Sequence, residues 1–256
     1  MSDVGGEVRL GSMLFTLVEP HRGHELAYNR WYERDHFYAG CMVGPWLFAG
    51  RRFIATRALK DLRFGAEPDV FGGAACGSYL AVYWILDGRH DEHVDWALRQ
   101  VQWLHANGRM FAERDHIHTL LYRHAFTAAA SDDAVPAELA LDHPFGGMTA
   151  TLVEPAAGVT PAQVGAHVQV ASSPELALGF TPIPLPADAP VSQEGHERAA
   201  GCLLTLSFSA ASPDAGWEEQ RSAAERLRGD GLGEVLWTAP FIPTVPGTDT
   251  YVDQLW

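Results

Sequence analysis

Lysine is almost absent from this chain of 256 residues. Lys60 is the single one, and arginine supplies the other 17 of the 18 basic side chains. Against 32 acidic residues this leaves a formal net charge of −14. Such a surface repels phosphate backbones, so a nucleic-acid partner is not expected. Cysteine is scarce too. Cys41, Cys76 and Cys202 are odd in number and widely spaced, which supports neither a disulfide framework nor a zinc knuckle. No apolar run approaches the ~20 residues that cross a bilayer, so no membrane partner is expected. The opening MSDVGGEVRLGS lacks the apolar segment of a signal peptide, and the expected location is cytoplasmic. Also missing are the Gly-rich dinucleotide fingerprint, the P-loop, G-x-S-x-G and H-E-x-x-H. Nucleotide cofactors, serine hydrolysis and zinc hydrolysis therefore have no support.

What is present is a repeat. The pentapeptide TLVEP stands at Thr16–Pro20 and again at Thr151–Pro155. The correspondence continues in order: Leu47 with Leu176, Gly77 with Gly201, Trp96 with Trp217, Phe126 with Phe241. The offset falls steadily from 135 to 115 residues, as loops and helices shorten in the second copy. In the first copy, β-branched apolar runs at Met13–Glu19, Trp46–Thr56, Ser78–Leu86 and Thr119–Phe126 predict four strands. Stretches from Glu25 to about Met42 and from Asp91 to Asn107 predict two helices. The order β-α-β-β-α-β is that of a ferredoxin-like unit. The second copy repeats it in reduced form, with a shorter first helix (Pro161–Ala171) and an irregular strand at TPIPLPADAP. The expected fold class is α+β: two tandem ferredoxin-like units, residues 1–127 and 148–256, joined by a linker at 128–147. Packed sheet to sheet they make a pseudo-dimeric barrel whose interior can hold a small ligand.

Chemistry concentrates in the first copy. Tyr28, Tyr32 and His36 follow at helical spacing and share one face. His36 is either a general acid or base beside a carbonyl, or a helix-end histidine bonded to a backbone carbonyl. Arg51 and Arg52 open a strand, so one faces each side of the sheet. The inward one can anchor a carboxylate or enolate, or either can pair with a surface acid. Tyr79 and Tyr83 share one face of the third strand, and Leu80, Val82 and Trp84 the other. Either set can line a cavity or simply pack. The 12 histidines include His90/His93 and His116/His118, but no third ligand has diagnostic spacing, so no metal is expected. His167, in the second copy, has no Trp-Tyr before it and reads as a surface residue.

The stretch NRWYERDH (Asn29–His36), followed by GPWLFAGRRF, resembles the dimeric α/β-barrel superfamily, and within it the EthD-like branch. Trp31, Tyr32 and His36 match the W-Y-x-x-x-H helix, and Arg52-Phe53 the end of the next strand, while Gly44-Pro45 reverses the usual order of its break. The resemblance implies a small-molecule substrate, and leaves room for a homodimer. It also implies a cofactor-independent enzyme of proton-transfer chemistry (cyclisation, dehydration or isomerisation) acting on an apolar or aromatic polyketide-like carbonyl compound. His36 would be the base or acid, Tyr32 a donor, and Arg51 or Arg52 the anion anchor. Tyr28, Trp31, Phe53, Tyr83 and Trp84 would line the substrate site. The expected cofactor is none, with haem left open. The alternatives are an oxygenase of the same fold, cofactor-free or haem-bound, and a non-catalytic small-molecule binder.

Overall fold

The computed structural model describes residues 7–67, 70–184 and 199–256. The first half runs β1 (Leu10–Pro20), α1 (Glu25–Trp31), a π-helix (Tyr32–Met42), β2 (Leu47–Ile54), the one-turn α2 (Arg57–Lys60), β3 (Tyr79–Leu86), α3 (His90–Ala106) and β4 (Arg114–Ala129). The second runs β5 (Gly147–Pro155), α4 (Pro161–Ser172), β6 (Leu176–Ile183), β7 (Leu203–Ser209), α5 (Trp217–Gly229) and β8 (Gly233–Pro243). Both TLVEP stretches end a strand, β1 and β5, at the proline.

The eight strands close into a barrel in the order β1-β3-β2-β8-β5-β7-β6-β4, with every pairing antiparallel. The helices lie outside it. Local signals set their ends. Thr160 and Gln163 form a reciprocal capping box on α4 with Pro161 in the first turn. Gly108, at φ +66°, follows the end of α3.

The sequence suggested one unbroken α-helix from Glu25 to Met42. Instead the chain switches to π geometry at Tyr32. The wider turn brings residues five apart together. The Val43 N–H donates to Tyr38 O, and His36 stacks on Trp31 with ring centroids 4.5 Å apart. β4 also begins earlier and ends later than its apolar run implies, because β1 pairs with it from Arg114 onward and β6 holds Thr127–Ala129 in the sheet. Of TPIPLPADAP, Thr181–Ile183 belong to β6, with Pro182 opposite Tyr122. Residues 185–190 lie outside the described part.

The expectation of a ligand space inside the barrel is not met. Phe15, Trp84, Tyr122, Phe180, Phe208, Trp237 and Phe241 fill the interior from both halves. Phe71, Leu141 and Phe145 join the same cluster from the connecting segments. Alternating strand residues carry large rings inward, and each buried ring adds about 1.5–3 kcal/mol. Two smaller clusters lie between sheet and helices. One, under the π-helix, holds Tyr28, Tyr32, Cys41, Tyr79 and Tyr83. The other, under α4 and α5, is aliphatic apart from Phe126 and Phe64.

Candidate functional site

The barrel has two seams between its halves, and they differ. At one, β4 and β6 pair through eight residues from Leu121 to Ala129. At the other, β2 meets β8 only through Phe53–Pro243 and Ile54–Ile242. Farther along β8 the partner is the segment after α2. Phe64 and Thr238 exchange backbone bonds, and Ala66 and Glu67 donate to Val235 and Leu236. Past Pro243 the chain turns across the first half, held by a bond from the Thr244 N–H to Arg52 O. The outer edge of β2 is left open there, and a cavity of about 290 Å³ occupies the gap. Gly50, Arg51 and Arg52 form its floor, Glu33, Phe37 and Tyr38 of the π-helix one wall, and Thr244 and Pro246 another. Leu141 and Asp142 border its inner end.

The two arginines take opposite sides of the sheet. Arg51 points toward the barrel end and donates to the carbonyls of Leu141 and His143. Arg52 lies on the helix side, 6% exposed. Its guanidinium sits over the rings of Tyr32 (4.7 Å) and Tyr79 (5.1 Å), and its Nη1 donates to Asn29 Oδ1 at 3.0 Å. Its buried Nη2 has no partner, and among the described residues no carboxylate forms an ion pair with it. A buried cation compensated only by ring faces and one amide is expensive to hold, and it favours any anion that reaches it. Gly50 matters beside it. A Cβ there would lie 2.6 Å from the Tyr83 ring and 2.7 Å from the Met42 sulfur.

The remaining predicted residues divide. Tyr28, Trp31, Tyr32 and Tyr83 belong to the aromatic layer under the π-helix, and the Tyr32 and Tyr83 hydroxyls are 3.0 Å apart. Burial pushes the Tyr32 and Tyr83 phenols well above their usual range. The same cause pushes the Cys41 thiol up to about 12. Phe53 and Trp84 point into the barrel interior, where the Trp84 indole donates to Ala137 O. They cannot share a pocket with Tyr83. His36 does not line the cavity. Its ring is held between Trp31 and Gly40, whose Cβ, if added, would come within 2.7 Å of the imidazole. Burial, then the Arg114 charge, lowers its pKa to about 3. It is neutral at pH 7, with Nδ1 buried and unpartnered. Asp35, its neighbour, turns away to Arg109. His116 bonds Thr119 and His118 bonds Tyr122, so the two do not converge.

Glu33, Phe37, Tyr38, Asp142 and Thr244 were missed from sequence. Glu33 and Phe37 are four apart, which hinted at a shared face. Nothing local places Asp142 or Thr244 beside them.

A haem would need a flat slot with a histidine nitrogen aimed into it. The seam cavity is lined by no histidine and is small for a porphyrin. The space beside His167 is about 30 Å³. A shallow groove of about 1010 Å³ includes His124, whose Nε2 is engaged with Thr127. None of these three spaces fits a haem.

No protein-family model matches the sequence, and no curated protein matches it. Solved structures do. A dye-decolorizing peroxidase from Bacteroides thetaiotaomicron VPI-5482 superposes with TM-score 0.53 at 7% identity, over 99% of this chain and 98% of that one. An anthrone oxidase-like protein superposes with TM-score 0.52 at 9% identity, over 93% of this chain and 92% of that one. At these identities the likeness is one of fold, and the fold is the dimeric α/β-barrel type that the N-terminal motif resembles. Both neighbours are named for oxidation, and this corrects the expected cyclase, dehydratase or isomerase chemistry. No helix among the described residues is long and apolar enough to cross a membrane.

Proposed function

We propose that this chain is a cofactor-independent oxidase that uses O₂ to oxidise a small, planar, enolisable aromatic compound in the seam cavity. The observation that carries the reading is Arg52, a residue that lines the cavity and whose buried guanidinium keeps one nitrogen without a hydrogen-bond partner. A carbonyl compound that loses a C–H proton becomes an enolate, and electron-rich enolates reduce O₂ without a metal. The cation would hold the enolate oxygen and stabilise the charge where it develops. The Phe37 and Tyr38 rings offer faces for a fused-ring substrate, and the cavity volume suits a compound of about three rings. The name of the anthrone oxidase-like neighbour points to the same substrate class. The overall change is R₂CH₂ + O₂ → R₂C=O + H₂O. Tyr32 would support Arg52 from beneath, and His36 would pack the π-helix rather than act on substrate.

The halves read best as a duplicated ferredoxin-like unit, since both carry β-α-β-β-α-β with the repeated pentapeptide ending the first strand. The W-Y-x-x-x-H helix favours an EthD-like origin for the first copy.

An oxygen electrode tests the activity, with anthrone as substrate and a protein-free control. Uptake should be stoichiometric with quinone formation, from protein that shows no Soret band after expression with added haem. Arg52→Met should lower kcat/KM at least about tenfold, the loss of one charge-assisted contact. A Soret band, or uptake unchanged in the variant, would sink the reading.

A further inference from the structure

We infer that Glu33 is the general base of this site, oriented by the backbone of the segment that follows β8. The inference rests on the oxidase reading and names the group that starts the reaction. Two carboxylates line the cavity, Glu33 and Asp142. Asp142 is exposed to solvent, whereas Glu33 is half-buried on the wall that Phe37 and Tyr38 share. Glu33 Oε1 accepts the backbone N–H of Gly247. That bond fixes the carboxylate and, among the described residues, leaves Oε2 without a hydrogen-bond donor. Gly247 stands at φ +83°, which glycine adopts without strain, and it follows Pro246, itself on the cavity wall. The same segment is tied down on both sides of this point. Thr244 bonds Arg52 O, Asn29 donates to Thr248 O, and Arg30 pairs with Asp249 at 2.6 Å. A substrate in the cavity thus lies among residues that include Glu33 and Arg52. The other candidates are poorly placed. His36 is off the cavity, and the Tyr32 and Tyr83 phenols are held protonated by burial.

The chemistry balances with O₂ as the only co-reactant. Glu33 Oε2 takes the proton from the acidic C–H, and the electron pair of that bond moves onto the carbonyl oxygen beside Arg52. The enolate passes one electron to O₂, and the resulting radical pair joins as a C–O bond. The peroxide anion recovers the proton from Glu33. Glu33 then removes the second hydrogen from the same carbon as the O–O bond breaks. The departing hydroxide takes that proton and leaves as water.

Proton removal can be observed without oxidation. Anthrone is incubated with the protein in D₂O under argon, and deuterium entry at the acidic carbon is followed by mass spectrometry. The wild type should exchange deuterium well above the protein-free rate. Glu33→Gln should lose that exchange, and aerobic O₂ uptake, by about 10²-fold or more. Its affinity for anthraquinone, measured by fluorescence quenching, should stay within about threefold. Glu33→Asp should restore part of the exchange. Exchange at the wild-type rate in a folded Glu33→Gln protein overturns the inference, whatever the O₂ result. Exchange that depends on Glu33, with no O₂ uptake in the wild type, sustains the base and overturns the oxidase reading alone.

Discussion

Arg52 carries a conflict between stability and function. Its charge is buried against Tyr32 and Tyr79 with Asn29, among the described residues, as the one hydrogen-bond partner of its guanidinium. An apolar side chain of similar length removes the desolvation cost of that cation, of the order of several kcal/mol for a buried ion. Arg52→Met should therefore keep or raise the thermal midpoint while losing activity. A fall of several degrees in calorimetry would show that the arginine is held for packing. His36 makes a second prediction. Its folded pKa, about 3, lies below the unfolded value near 6.5. Above the unfolded value both states are neutral and stability is whole. As pH falls from about 6.5 toward 3, the unfolded chain binds a proton that the folded chain refuses. Stability then drops by up to about 1.4 kcal/mol per pH unit from this group. His36→Asn should reduce the slope of the urea midpoint between pH 6.5 and 4, leaving the part that His116, also lowered to about 4, supplies. An unchanged slope would remove His36 as the source.

At the scale of elements, the π-helix and the short seam act together. The wide turn lets Trp31 reach His36 and sets Glu33, Phe37 and Tyr38 on the cavity wall. Its sequence, YERDHFYAGCM, reads as an ordinary helix, because residue spacing does not separate the rare π geometry from the α form, and packing makes the choice. Gly40 shows that choice, since only a residue without a Cβ leaves room for the His36 ring. The seams should differ in dynamics. Amides of β2 from Leu47 to Gly50 and of residues 244–248 should exchange hydrogen faster than those of β4 and β6 between Leu121 and Ala128. Two ladder pairs resist opening less than eight. Equal protection factors at the two seams would contradict the idea of a naturally open edge.

At the scale of the molecule, the halves share one core. Phe15, Trp84 and Tyr122 of the first pack in the same cluster as Phe180, Phe208 and Trp237 of the second. The Trp217 indole also crosses to Leu62 O. Neither half can bury its inner sheet face alone, so the chain should unfold in one calorimetric transition, and the fragment 1–129 should not fold in isolation. Two resolved transitions would mean that the halves are independent domains.

The order of elements and their alternation were readable in the sequence. An unbroken apolar run marks β3, and TLVEP, ending at its proline, marks the close of β1 and β5. A dipeptide on a strand must split across the sheet, which is why Arg51 and Arg52 face opposite ways. Local pattern also found the tyrosines under the first helix, since they repeat at helical spacing. It could not tell which side of the sheet would be empty. The interior filled because ring volume from both halves meets there, a sum over residues more than a hundred positions apart. The cavity arose elsewhere, where residues 64–67 take the β8 edge and the chain after Pro243 crosses β2. Sequence thus determined which strands and helices form and which faces are apolar, because those depend on neighbours along the chain. The site depended on how the two halves close on each other, and only the tertiary structure could decide that.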